Sequence, residues 1–258
     1  MNRFLSKTVQ AIPPSGIRKF FDLVAQTEGV ISLGVGEPDF ATPWHITETA
    51  CYSLEKGETM YTSNQGLPEL REEIAAYQKR HIGVEYSPVD EVLVTIGVSE
   101  AVDLAVRALV EPGDEVLVPE PSYVSYCPEV TLAHGRPVPL PTYFSDQYRL
   151  RPDVLEQYIT PKSKILVLPY PSNPTGGIMN QDDLKALVDI IIKNDLIVIS
   201  DEIYSELTYC GKHVSIASFP GMRDRTIVMN GFSKAFAMTG WRVGYACGHP
   251  EIIAAMTK

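Results

Sequence analysis

From about residue 90 onward, short runs of Val, Ile and Leu alternate with segments of helical spacing. Near-continuous apolar strands that alternate with helices are typical of βαβ units. The pattern therefore predicts an α/β fold with a mostly parallel, doubly wound sheet and helices on both faces. The predicted strands are 92–96, 116–119, 165–168, 196–199, 226–229 and 243–246.

Helical periodicity is clearest in residues 100–110 and 181–194. The second segment places Leu184, Leu187 and Ile191 on one stripe, as expected for a helix that packs on a sheet. A further helical pattern covers 15–25, before an irregular stretch rich in Gly and Pro. These early residues predict an arm that precedes the main domain.

Charge and composition exclude several classes of function. The 258 residues contain 22 Lys and Arg against 32 Asp and Glu, a formal net charge of -10, and no basic run. Binding to nucleic acid or to an anionic membrane would need a basic surface, so neither is expected. The four cysteines form no C-x-x-C pair, the histidines have no metal-ligand spacing, and no run reaches the ~18 apolar residues of a membrane span. A cytoplasmic protein without a metal site is expected.

Polar side chains follow five of the predicted strands. In open α/β sheets, ligands bind beyond the carboxyl ends of the strands, so these side chains are expected to share one site. The segments that follow the strands contain, in chain order, Val98 with Ser99, then Tyr123, Asn173, Asp201 with Tyr204, and Ser233 with Lys234.

This set of groups matches the chemical needs of pyridoxal phosphate. A lysine amine forms a Schiff base with the aldehyde, and a carboxylate keeps the pyridine nitrogen protonated. Asn and Tyr donors suit the phenolate oxygen, an aromatic ring stacks on the cofactor ring, and a helix N-terminus with Ser and Arg binds the phosphate.

Several motifs carry a specific resemblance. The segments S-N-P-T-G at 172–176, S-D-E-I-Y at 200–204 and S-K-A-F-A-M-T-G-W-R-V-G-Y at 233–245 resemble the signature segments of the class I/II aminotransferases. These are fold-type-I pyridoxal phosphate enzymes. The resemblance begins at L-G-V-G-E-P-D-F near residue 33 and covers nearly the whole chain.

The resemblance implies roles for individual residues. Lys234 would be the Schiff-base lysine and the proton shuttle, and Asp201 would pair with the pyridinium nitrogen. Tyr204 and Asn173 would bind the phenolate oxygen, and Tyr123 would stack on the ring. The phosphate would be held by Ser233, Arg242 and the backbone N–H groups of Val98 and Ser99, and the substrate would contact Gly36 and Asn173.

The resemblance also implies an assembly and a domain division. In this family Tyr61 reaches the phosphate of the partner subunit's cofactor, so a homodimer is implied. Residues 1–45 would form the N-terminal arm and part of the small domain, and 46–258 the large cofactor-binding domain. The C-terminal small domain, with the arginine that binds the substrate carboxylate, is expected to be largely absent, which leaves the activity of these 258 residues alone in question.

The implied reaction transfers the amino group of an L-amino acid to a 2-oxo acid, in the subgroup acting on aspartate, aromatic or diaminopimelate-type amino acids. Alternatives within the cofactor class are a lyase or decarboxylase and a non-catalytic binding relative. The segment Gly97-Val98-Ser99-Glu100-Ala101 also resembles a hydrolase nucleophile elbow, although its second glycine is replaced by Ala101. A dinucleotide site at 34–36 is disfavoured because Pro38 and Asp39 stand where its helix should begin.

Overall fold

The computed structural model describes residues 2–14, 29, 34 and 36–258. Within them a seven-stranded sheet has the order β1-β7-β6-β5-β4-β2-β3. The helix predicted over 15–25 lies outside the described residues. The strands are β1 (Val92–Thr95), β2 (Glu115–Glu120), β3 (Arg136–Pro141), β4 (Ser163–Leu168), β5 (Ile197–Asp201), β6 (Thr226–Gly231) and β7 (Gly244–Cys247).

The sheet is mostly parallel, as the sequence predicts. β2 pairs in parallel with β3 and β4, and the parallel pairing continues from β4 through β5 to β6. β7 alone runs the other way, since it is antiparallel to both of its neighbours. Its pairing with β6 places Gly231 opposite Gly244, which closes the chain between them into one loop.

The sequence pattern missed β3. This strand has the sequence R-P-V-P-L-P and lies at the edge of the sheet, where it pairs only with β2. Proline has no N–H group to donate to a neighbouring strand. It is therefore tolerated mainly in edge strands, which have a neighbour on one side only. The alternating prolines hide the strand from a pattern that looks for apolar runs.

Helices cover both faces of the sheet. Along β5, side chains alternate between the faces, so that Ile199 packs with α4, α5 and α8 while Val198 packs with α6 and α7. Full burial of one such side chain contributes about 1.5–3 kcal/mol. The helices are α1 (Lys7–Ala11), α2 (Trp44–Glu55), α3 (Pro68–Ile82), α4 (Gly97–Leu109), α5 (Tyr126–Leu132), α6 (Pro152–Tyr158), α7 (Gln181–Lys193) and α8 (Pro250–Thr257).

Two helices differ in how they are held. α7 begins with a capping box, in which the Asn180 side chain accepts hydrogen bonds from the backbone N–H groups of Asp182 and Asp183. α2 has no buried residue, and Trp44 and Leu54 on it are largely exposed. In the described residues, no helix has the length and apolar character needed to cross a membrane.

Candidate active site

Asp201 is the centre of a polar cluster at the carboxyl edge of the sheet. It is the last residue of β5 and is only 6% exposed. Its Oδ2 atom accepts a hydrogen bond of 2.7 Å from the Tyr126 hydroxyl, and its Oδ1 atom accepts one of 3.2 Å from the Ile203 N–H. Burial raises the pKa of Asp201 to about 6, although the two hydrogen bonds lower it. The carboxyl group is thus mostly ionised at neutral pH.

Tyr204 and Asn173 meet beside Asp201. Burial is the main cause that raises the pKa of the Tyr204 hydroxyl, and a hydrogen bond with the Asn173 side chain opposes this effect. A Cβ atom added at Gly36 would lie 3.8 Å from the Tyr204 hydroxyl, so the backbone of Gly36 passes close above this pair. Three predicted site residues from three separate segments are therefore neighbours.

Lys234 extends from the loop after β6 into the same cluster. Its Nζ atom donates a hydrogen bond to the backbone carbonyl of Gly36 and lies 5.7 Å from the centre of the Tyr204 ring. Partial burial lowers the pKa of Lys234, and the positive charge of Arg242 lowers it further, while Glu37 acts in the opposite direction. A larger fraction of the amine is therefore neutral than for an exposed lysine, and a neutral amine is the nucleophilic form.

At the start of α4, the backbone of Gly97 lies very close to the Arg242 guanidinium. Gly97 has a φ of +73°, and a Cβ atom at this position would lie 2.5 Å from Arg242 Nη2. A Cβ atom at Gly244 would lie 2.5 Å from the Gly97 carbonyl carbon and 2.7 Å from the Val98 nitrogen. The first N–H groups of a helix, here around Val98 and Ser99, lack partners within the helix. Together with Arg242 they form a site suited to an anion.

The remaining predicted residues differ in their placement. Tyr123 is half-exposed and its ring stands edge-on to Tyr126, with 5.7 Å between ring centres. Ser233 is buried next to Lys234. Tyr61 is fully exposed, and no hydrogen bond or ring contact joins it to the other predicted residues within the part of the chain that the structure describes.

Three residues near the cluster were not predicted from the sequence. Tyr126 donates the hydrogen bond that holds Asp201, and no motif or periodicity in the sequence marked it. Glu129 is a buried carboxyl group one turn further along α5. Thr42 donates a hydrogen bond of 2.6 Å to the Ala237 carbonyl and accepts one of 3.0 Å from Trp241 Nε1.

The cluster combines an amine, a buried carboxylate, two neutral hydrogen-bonding side chains and an anion site. Such a set can bind a flat, anionic molecule that carries a basic nitrogen at one end. The described residues contain no group of three His, Cys, Asp or Glu side chains that could hold a metal ion.

Comparison with known proteins identifies close relatives. The family model described as aminotransferase class I and II matches residues 28–258. YugH of Bacillus subtilis is 50% identical over 258 residues, which is 100% of this chain and 67% of that protein. Aromatic-amino-acid aminotransferase 2 of Thermococcus litoralis is 45% identical, over 98% of this chain and 66% of that protein.

A solved structure agrees in fold. The aspartate aminotransferase of Thermus thermophilus with maleate is 40% identical and superimposes with a TM-score of 0.93, over 98% of this chain and 66% of that one. The chain thus spans about two thirds of the length of the relatives it matches.

Proposed function

Because the chain belongs to the class I and II aminotransferase family, we propose that it transfers the amino group of an L-amino acid to a 2-oxo acid. Enzymes of this family depend on pyridoxal phosphate. When bound, that cofactor supplies an aldehyde for an amine and an electron sink for a carbanion. The observation that carries the proposal is the meeting of the Lys234 amine, the buried Asp201 carboxylate and the Arg242 guanidinium at one sheet edge.

The described residues fit this cofactor. Asp201 offers a buried carboxylate for the pyridine nitrogen, and it has accepting capacity beyond its two present donors. Because Gly97 and Gly244 carry no side chain, the start of α4, β7 and Arg242 can approach one another closely, which brings the guanidinium next to the first N–H groups of α4. We assign Ser233, Val98 and Ser99 to the same phosphate site and Tyr123 to the face of the ring.

Each polar residue of the cluster has a task in this proposal. Tyr204 and Asn173, whose side chains lie near each other, hold the phenolate oxygen. Lys234 takes up and returns a proton at Nζ, which its lowered pKa favours. Gly36 and Asn173 contact the substrate. The segment that runs from Gly36 to Thr42 contacts the lysine at one end and is joined to the lysine loop through the hydrogen bond from Thr42 to Ala237 at the other.

The substrate class follows the relatives only broadly. Proteins of 39–48% identity are named for aspartate, aromatic amino acids or N-acetyl-LL-diaminopimelate, among others. We propose an amino acid of this range as the donor. Neither a lyase or decarboxylase nor a hydrolase is favoured, since the named relatives are aminotransferases.

We also propose that the chain pairs with a second copy and works in the cytoplasm. Tyr61 and Met60 are almost fully exposed, and the neighbouring α2 presents Trp44 and Leu54 to solvent. Exposed apolar side chains gathered in one segment are typical of an interaction site. In the proposed dimer Tyr61 contacts the phosphate in the partner subunit.

The test of the function is to locate the cofactor by chemistry. The chain is incubated with pyridoxal phosphate, reduced with borohydride, digested and analysed by peptide mass spectrometry. We expect the reduced cofactor on Lys234 and a visible absorption band that Lys234→Ala abolishes. Lys185→Ala, a change at an exposed lysine on α7, is the matched control and should leave the band unchanged.

The outcomes separate the alternatives. Label on Lys234 followed by release of pyridoxamine phosphate after addition of an amino acid would support a transaminase. Label without that release, but with loss of carbon dioxide or of a side-chain fragment, would favour the lyase class. A folded chain that carries no label, or carries it at many lysines equally, would contradict the proposal.

A further inference from the structure

Tyr126 is a buried residue that stands behind the cofactor-binding carboxylate of the proposed function. Its side chain is 3% exposed, and its hydroxyl donates the 2.7 Å hydrogen bond to Asp201 Oδ2. Tyr126 begins α5, whereas Asp201 ends β5, so the bond joins two elements that are 75 residues apart in the chain. The hydroxyl has a defined partner within the site rather than a contact with solvent.

The same residue also contacts the aromatic side of the site. The Tyr123 ring meets the Tyr126 ring edge-on, with an interplanar angle of 78°. Edge-to-face pairs of this kind are favourable beyond the area they bury. Tyr126 therefore links the carboxylate assigned to the ring nitrogen with the side chain assigned to the ring face.

The charges around Asp201 make the hydroxyl important. Glu202 follows it on the chain, Glu129 lies on α5 and Tyr204 lies in the next loop, and each interacts with Asp201 electrostatically. Burial and the Glu202 charge oppose ionisation of Asp201, and the donors that favour it are Tyr126 and the Ile203 N–H. Burial and the proximity of Asp201 raise the pKa of Tyr126 well above its usual range, so the phenol stays protonated and remains a donor.

We propose that Tyr126 is a positioning residue for the cofactor, whose hydroxyl fixes the Asp201 carboxylate in its ionised form and in one orientation while its ring supports Tyr123. This inference rests on the proposed function. The Tyr126 ring also packs in the apolar cluster between α4, α5 and the sheet. If Tyr126 only filled the core, removal of its hydroxyl alone would leave cofactor binding unchanged.

The substitution Tyr126→Phe keeps the ring and removes the hydroxyl. Pyridoxal phosphate is titrated into wild type and variant, and the visible band of the bound cofactor is then followed against pH. We expect binding about tenfold weaker, because a hydrogen bond to a charged group is among the stronger ones. We also expect a shifted pH midpoint of the band. Tyr245→Phe, which removes a buried hydroxyl bonded to Gln78 at 2.8 Å, is the matched control and should change neither quantity.

A second variant tests the same bond from its other end. Asp201→Asn leaves the Tyr126 hydroxyl in place but removes the charge that strengthens the bond. In that background, Tyr126→Phe should weaken cofactor binding by no more than about twofold. An equal loss in both backgrounds would mean that the hydroxyl acts independently of Asp201, and the proposal would be wrong.

A measurement without cofactor completes the test. Carbon-13 NMR of labelled aspartate in the unliganded chain should show a higher pKa for Asp201 in Tyr126→Phe than in wild type. If wild type binds the cofactor while Tyr126→Phe binds it equally well with an unchanged Asp201 pKa, this inference alone fails. A wild-type chain that binds no cofactor would overturn the proposed function and this inference together.

Discussion

Glu129 carries a carboxyl group whose Oε2 atom is buried and has no hydrogen-bond partner among the residues that the structure describes. Burial raises the pKa of this group to about 8, and the charges of Asp103 and Asp201 add to the effect. In the unfolded chain the same group ionises near the ordinary value of 4.5. Between these two values the folded chain therefore holds one proton more than the unfolded chain, and the free energy of unfolding falls as pH rises.

The substitution Glu129→Gln tests this link between charge and stability. The amide imitates the protonated acid at every pH, so we expect stability close to that of wild type near pH 5. At pH 9 the variant should be more stable by on the order of 4–5 kcal/mol, since the pKa of about 8 lies roughly 3.5 above the ordinary 4.5 and each pKa unit corresponds to about 1.4 kcal/mol. Urea unfolding at both pH values measures the difference. Glu156→Gln, at an exposed site on α6, is the control, and parallel pH curves for Glu129→Gln and wild type would refute the assignment.

Single residues also show what a sequence can reveal about a site. Asn173, Asp201 and Lys234 were identifiable because each follows a strand of a parallel sheet, and strand ends of such a sheet share one edge. The partner of Asp201 was not identifiable, because a bond between residues 75 positions apart leaves no periodic trace. His213 was in the same situation, since it lies 2.8 Å from Glu202 across a loop without any motif spacing.

Among the elements, β7 and the start of α4 are in the tightest backbone contact of the site. A methyl group at Gly244 would approach the Gly97 backbone to 2.5 Å, and backbone atoms cannot rotate away as a flexible side chain can. The two elements must therefore separate slightly to accept any larger residue. The anion site is built from the same backbone, so its geometry would change if β7 and the start of α4 moved apart.

We accordingly expect Gly244→Ala to lower the free energy of unfolding by about 1–3 kcal/mol and to weaken binding of pyridoxal phosphate. Gly240→Ala is the matched control, because a Cβ atom there meets nothing within 4 Å. Chemical unfolding and cofactor titration would be run on both variants. Equal behaviour of the two alanine variants would show that the close approach has no energetic importance.

The elements themselves were largely predictable, with errors that have physical causes. Six of the seven strands were found, with ends displaced by a residue or two. In the four central parallel strands β2, β4, β5 and β6, burial on both faces demands the continuous apolar runs that the pattern looks for. β5 continues through Ser200 to Asp201, since hydrogen bonding to β6 does not stop where hydrophobicity does. β3 was missed because its composition does not favour a strand. It is a strand because it pairs with β2.

At the scale of the whole molecule, the exposed apolar segment near Tyr61 predicts association. Met60→Glu should weaken self-association by at least about tenfold, since a charge buried in an interface without a partner is costly. Sedimentation equilibrium of variant and wild type measures the change. Phe144→Glu adds the same charge at another exposed apolar side chain and should have no effect. A wild-type chain that sediments as a monomer at every concentration would contradict the proposed dimer.

The family and the fold were predictable from the sequence because the motifs stand in a fixed order along the chain, and the comparisons confirm both. The domain boundary at residue 45 and the residue roles stay predictions. Assembly was not readable from composition, because an exposed apolar residue looks the same in a sequence as one in the core. Only the folded chain shows that α2 has no buried residue of its own.

The reversed direction of β7 has a consequence for how this site can change. Gly231 of β6 and Gly244 of β7 are paired directly, so the chain between them is a loop whose two ends are joined by strand pairing. Lys234 and Arg242 both belong to that loop, which is also held from outside by Thr42 and by the contact of Arg242 with Gly97. A single insertion between Lys234 and Arg242 would therefore alter the spacing between amine and guanidinium at once, whereas a substitution far from the loop and from these contacts would not reach that spacing directly.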